Sequence, residues 1–480
     1  MSFTAGAFWI FLPAVLWLFH GPFRHRLRGQ NFLLLAASYL FYGWWDWRFL
    51  SLIALSTATD FWVAQQLEKP LLNAHTRRLF LSISLAINLG LLATFKYAGF
   101  FIDSWIDAWA GLGVEMNRPS LNIVLPVGIS FYTFQTLSYT IDVYRGQLRA
   151  SRDWVEFGAY VAFFPQLVAG PIERAQRLLP QLQRLRPVTE SGVKIGLRLM
   201  AYGLFKKVVI ADGAAGYANA AFESPELFTG PVLVIGVVAF ALQIYGDFSG
   251  YSDIAIGLGR LFGIRLRSNF RFPYFSRNVA EFWRRWHVSL NTWFRDYLYI
   301  PLGGSRGSRW TSLRNITIVF LISGLWHGAS WNFVIWGAIH AALFVPIFWM
   351  GRNKTFQNDW KWQDSWRAVV TFFWVCLAWV FFRAENLDAA RTYLSNVVAR
   401  WDQGLGNWEA YRAFWGAADE RMFAFLLALF IVLEWLLFRH GVRWPWRHGF
   451  QRVWPETFFV FWVLAFSQRN EATEFIYFAF

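Results

Sequence analysis

Apolar residues fall in long blocks along the whole chain, separated by shorter stretches in which Lys and Arg cluster. A window of about 20 residues, the length a helix needs to cross the hydrocarbon core, places predicted spans near 8–19, 31–42, 49–67, 79–97, 121–144, 195–211, 232–245, 315–326, 331–348, 368–382, 423–438 and 457–466. Several are too short to cross straight through. Basic loops recur at 24–28, 69–78, 145–152, 174–207, 260–314, 352–367 and 439–452, while 213–230 and 384–420 carry relatively more acid. Because Lys and Arg are retained on the cytoplasmic side, the alternation predicts an outside N-terminus and puts the turn at 326–331 toward the outer half of the membrane. The first apolar run precedes its basic cluster and lacks a charged leader, which predicts a retained first helix instead of a cleaved signal.

Two segments break the pattern. Segment 157–172, FGAYVAFFPQLVAGPI, is apolar but interrupted by Pro165, Gly170 and Pro171. A re-entrant segment fits it better than a crossing, since non-helical backbone at depth is tolerated only where protein or a water-filled cavity buries it. Segment 247–314 is rich in arginine, yet its Trp, Phe and Tyr content is too high for a solvated loop. Short amphipathic and re-entrant helices lining a cytoplasmic vestibule are expected there. Their arginines are aimed at an anionic ligand or rest on anionic lipid.

Composition narrows the class. With 56% apolar and 16% charged residues the chain is read as an all-α polytopic membrane protein, a single integral domain over 1–480 with its motif-rich core at 158–348. The net charge of +15 sits in the loops, the pattern of an oriented membrane protein, so no nucleic-acid partner is expected. The lone Cys376 lies inside an apolar run, so an internal disulfide and a Cys-based metal site are excluded. No metal is expected.

Candidate chemistry concentrates in NVAEFWRRWHVSLNTWFRDYLYIPLGG at 278–304 and in SGLWHGASW at 323–331. Ionisable groups at membrane depth mark a substrate path or a catalytic site. His287 and His327 are therefore the catalytic candidates, because an imidazole can take a proton near neutral pH. The bland alternative for His327 is a hydrogen bond across a helix pair. Gly328 and Ala329 are small enough to let an acceptor approach. Arg284 and Arg285, flanked by Trp283 and Trp286, are candidates for holding donor phosphates, or else lipid headgroups. Asp247 and Asp253 are expected to pair with those arginines, and Trp326 and Asn291 complete the supporting set. Glu434 is expected to snorkel or pair toward Arg439 and His440. His340 reads as a packing histidine, and His20, His25, His75, His440 and His448 as bystanders.

The motifs NFLLLAASYLFYGWWDWRF, SFYTFQTLSYTIDVYRG, FFPQLVAGPIERA, GLFKKVVIAD, QIYGDFSGYSDIAIGLGRLFGI, the RRWH and WHG stretches and the closing FIYFAF occur in order along almost the whole chain. In this the chain resembles the membrane-bound O-acyltransferases, and within them the branch of the alginate O-acetyltransferase membrane subunit. Arg271 and Ala479 depart from the pattern and leave the histidines untouched. The resemblance implies a bundle of about 11–12 transmembrane helices with re-entrant segments around a central tunnel. It implies transfer of an acetyl group from a cytoplasmic donor, acetyl-CoA, to an exported polysaccharide, with the WHG histidine falling on His327 and the RRWH histidine on His287. The implied setting is a bacterial inner membrane, with membrane lipid and a periplasmic SGNH-type acetyltransferase or polysaccharide-export complex as partners. The small outer loop 384–420 favours handover to such a partner. The alternatives are D-alanyl transfer from a carrier protein to teichoic acid, and a transporter, against which stands the lack of similarity between the two halves.

Overall fold

Backbone with no access to water must satisfy its own N–H and C=O groups, and a helix does this within one segment. The computed structural model describes residues 1–70, 72–117, 123–351, 360–406, 408, 417–440, 455–467 and 475, and among these residues there is no strand. The helices are α1 (Gly6–His20), α2 (Leu27–Asp46), α3 (Leu50–Leu67), α4 (Ala74–Leu92), α5 (Ala98–Ala110), α6 (Ile129–Tyr144), α7 (Trp154–Ala162), α8 (Phe164–Leu167), α9 (Ala175–Leu182) and α10 (Glu190–Leu204). They continue with α11 (Asp212–Glu223), α12 (Gly230–Leu261), α13 (Val279–Arg285), α14 (Val288–Phe294), α15 (Arg309–His327), α16 (Trp331–Trp349), α17 (Trp362–Arg383), α18 (Leu387–Ala399), α19 (Ala417–His440) and α20 (Pro455–Ser467).

Among the described residues, five helical stretches are long and apolar enough to cross a membrane: Ala74–Ala110, Gly230–Leu261, Trp331–Trp349, Trp362–Arg383 and Glu420–His440. Other predicted spans, such as those at 49–67 and 315–326, fall on helices outside that set. The broken segment is broken as expected. Helix α7 stops at Phe163, whose ψ of 103° leaves the helical region, and α8 adds one buried turn before the chain leaves helix again.

The chain divides into two compact units. The first comprises Met1–Leu197 with Ala255–Arg267. There α2 packs on α7, and α3 on α4 and α6. The buried Asp60 of α3 accepts hydrogen bonds from Ser84 and Asn88 of α4 and from Thr140 of α6, so a single carboxylate ties three helices.

The second unit comprises Arg198–Ile254 with Ser268–Phe480. Helix α12 runs through 247–261, where short broken helices were expected. Its glycines mark close packing: a Cβ on Gly250 would lie 2.6 Å from the carbonyl oxygen of Gly203. Helices α15 and α16 form a tight hairpin across WHGASW, closed by Ser330, whose Oγ accepts the N–H of Asn332. Contact at Gly324 is so close that a Cβ there would meet the Phe333 carbonyl oxygen at 2.1 Å.

Candidate functional site

The first histidine is presented by a break between two short helices. Asn278 caps α13 by accepting the N–H of Glu281 (2.8 Å). The Glu281 carboxylate is in turn held by Arg277 at 2.9 Å and Arg285 at 2.8 Å. Helix α13 ends at Arg285, Trp286 is extended, and His287 adopts φ 44°, ψ 52° as the residue before α14. A left-handed conformation at a non-glycine residue costs about 1–3 kcal/mol and persists only where its surroundings enforce it. They do so here. Asn291 donates from its amide to the carbonyls of Trp283 and Trp286, each at 2.6 Å, closing the frayed end of α13. Val288 donates its N–H to the Asn269 carbonyl (2.9 Å), and Ser289 donates N–H and Oγ–H to Asn269 Oδ1.

The second histidine, His327, is the last residue of α15. The two imidazole rings lie 6.4 Å apart, and both are buried. Trp326 touches both, at 5.9 Å from the His287 ring and 4.9 Å from the His327 ring. Phe248 stands edge-on to His287 at 4.7 Å, while Trp336 and Phe382 stand edge-on to His327 at 5.1 and 5.3 Å. Burial pushes the His287 imidazole down to about 3, which keeps the ring neutral near pH 7. Among the described residues the buried indole N–H groups of Trp286, Trp336 and Trp379 find no acceptor, so the aromatic shell around the histidines holds unused donors. Two buried imidazoles with indole N–H donors in the surrounding aromatic shell suit proton removal from a hydroxyl and stabilisation of a developing oxyanion.

The model of the membrane-bound O-acyltransferase family matches residues 36–384, which include both histidines. The chain belongs to the membrane-bound O-acyltransferase family. It is 42% identical over 394 residues to a probable alginate O-acetylase of Azotobacter vinelandii, covering 81% of this chain and 76% of that protein. It is 36% identical over 392 residues to a peptidoglycan O-acetyltransferase of Helicobacter pylori, covering 76% and 73%. A teichoic acid D-alanyltransferase of Bacillus subtilis is 28% identical over 289 residues, covering 56% and 72%. This O-acyltransferase is a multi-pass membrane protein.

Of the residues singled out from the sequence of this O-acyltransferase, Trp326 joins the two histidines, and Trp286 lies one ring further out, 5.2 Å from Trp379. Trp283 donates its indole N–H to His340 Nδ1 (3.3 Å). An indole can only donate, so Nδ1 of His340 is the acceptor, and the ring packs as expected. The two arginines divide. Arg284 is exposed, whereas Arg285 is tied to Glu281 and donates to the Arg271 carbonyl at 3.1 Å.

Three expectations are corrected. Asp247 and Asp253 do not meet these arginines; they pair with Lys207 (2.9 Å) and Lys206 (3.0 Å) of the π-helical turn Phe205–Ala211. Glu434 points inward, accepting from Tyr202 and Tyr245 at 2.5 Å each and lying 3.5 Å from Lys206, because a buried lysine is a closer counter-charge than the helix end. Gly328 does not open a path for an acceptor. A Cβ there would meet the Phe333 ring at 2.0 Å, so its smallness serves the hairpin. Sequence reasoning missed Asn269, Phe248, Trp336 and Phe382. Phe248 lies in one of the motifs quoted above and the other three outside them, and no local period joins any of the four to a histidine.

Proposed function

We propose that the chain is an O-acetyltransferase that takes an acetyl group from a cytoplasmic thioester donor, acetyl-CoA, for O-acetylation of an exported polysaccharide such as alginate. In this reading the hydroxyl oxygen attacks the thioester carbonyl, His327 takes the hydroxyl proton, the C–S bond breaks, and the proton is returned to the departing thiolate. His287 orients the donor or relays that proton. The observation that carries the reading is the meeting of His287 and His327 in one buried aromatic site. It is supported by the names of the Azotobacter and Helicobacter relatives, which point to acetyl transfer onto a glycan.

The acceptor is handed its acetyl group through a periplasmic partner, an SGNH-type acetyltransferase. The basic loops support an inner-membrane protein with its N-terminus outside. Cysteine labelling by an impermeant reagent tests the orientation: Ser308→Cys, in an exposed position, stays unlabelled in intact cells, and strong labelling overturns it.

The function is tested with purified protein in vesicles carrying isotopically labelled acetyl-CoA, together with mass analysis of the cell's exopolysaccharides with and without the gene. Acetyl transfer and loss of O-acetyl groups are the expected results. D-alanyl transfer from a carrier protein is the second reading, favoured by the Bacillus relative. Labelled D-alanine moving in place of acetate would establish it.

A further inference from the structure

We propose that Asn269 is the positioning residue that sets the tautomer and the aim of His287. Nothing in the sequence marks it, and it lies on the loop ahead of α13, fully buried. Three consecutive residues are hydrogen-bonded to it. Its Oδ1 lies 3.3 Å from His287 Nδ1, its carbonyl accepts the N–H of Val288 at 2.9 Å, and its Oδ1 also accepts the N–H and Oγ–H of Ser289 at 3.2 and 2.7 Å. The clamp spans the left-handed turn at His287.

The chemistry of the donors fixes the proton. A backbone N–H can only donate, so the atom facing Ser289 is the amide oxygen and not the nitrogen. That same oxygen faces His287 Nδ1, which must therefore carry hydrogen. In a neutral imidazole the lone pair is then left on Nε2. The amide nitrogen of Asn269 turns the other way and donates to Ser252 Oγ of α12 at 3.4 Å, which anchors the clamp to a long helix. His287 thus presents an acceptor nitrogen to the site, in a ring already packed by Phe248 and Trp326. The inference rests on the reading of the histidine pair as the site of acyl transfer, and it deepens it: His287 acts as a proton acceptor whose orientation is set by another residue.

Solid-state NMR on protein labelled with ¹⁵N-histidine, in lipid vesicles, reads the tautomer directly. His287→Gln serves only to assign the signal. The expected wild-type signal is neutral His287 with Nδ1 protonated and Nε2 bare; a wild-type ring protonated on Nε2 overturns the proposal. This reading does not depend on turnover, so failure of the acetyl-transfer reading would not disturb it. In activity, Asn269→Leu, similar in size but without an acceptor, lowers kcat on the order of 10²-fold with the donor KM little changed. Asn269→Asp keeps the oxygen for all three donors and recovers most of the loss. An Asn269→Leu protein with wild-type kcat and an unchanged tautomer also contradicts the assignment.

Discussion

The rings of His287 and His327 stand 6.4 Å apart with their planes at 62°, and Trp326 touches both. One histidine is held by a strained break between helices and the other by the end of a tight hairpin. Two such supports give a fixed geometry, which is what a preorganised acid–base site requires.

Acid should weaken the fold through His287. Its folded value is lowered from the ordinary 6.5 to about 3 by burial. As pH falls below about 6.5 the unfolded imidazole takes a proton while the folded one stays neutral. The stabilisation is complete above that pH and is lost progressively toward about 3. A series of melting temperatures between about pH 7 and about pH 4 should therefore fall more steeply for wild type than for His287→Gln. Equal slopes would contradict the burial argument.

The two arginines should behave differently. Arg285→Ala removes one of the two guanidinium groups on Glu281 and should lower the melting temperature. Arg284→Ala, at an exposed position, should leave the melt unchanged and raise the donor KM, with an effect that shrinks at high salt. Kinetics and melts on the same pair of variants decide between donor binding and a bystander role.

Lys206 is the counter-charge for two carboxylates, the partly buried Asp253 and the buried Glu434. Lys206→Met should destabilise by about 3–5 kcal/mol, because an uncompensated buried charge is left behind. Adding Glu434→Gln should recover part of that loss. A double variant no more stable than the single one would remove Glu434 from the network.

Much of the fold is legible in the sequence, because apolar block length and the WHGASW turn are local signals. The hairpin α15–α16 and the break at Phe163 follow from them. Arginine and aromatic content misled at α12, where short broken helices were expected and one helix runs on through glycines that serve close helix contact. The lysine pairings could not be read. Lys206 finds Asp253 at a separation of 47 residues, and Tyr245 finds Glu434 at 189, so only the tertiary fold chooses among many charges. Asn269 was hidden for the same reason, since its partners are met across a loop whose course no periodicity encodes.

In the proposed reaction His327 removes the acceptor's proton. Acetyl transfer and melting temperature measured together on His327→Ala and His327→Gln test it most directly. Both variants should fold and both should lose on the order of 10²-fold or more of transfer, since glutamine keeps a hydrogen-bonding side chain but cannot act as a base near neutral pH. A folded His327→Gln protein with activity near wild type would contradict it and leave His287 as the only base.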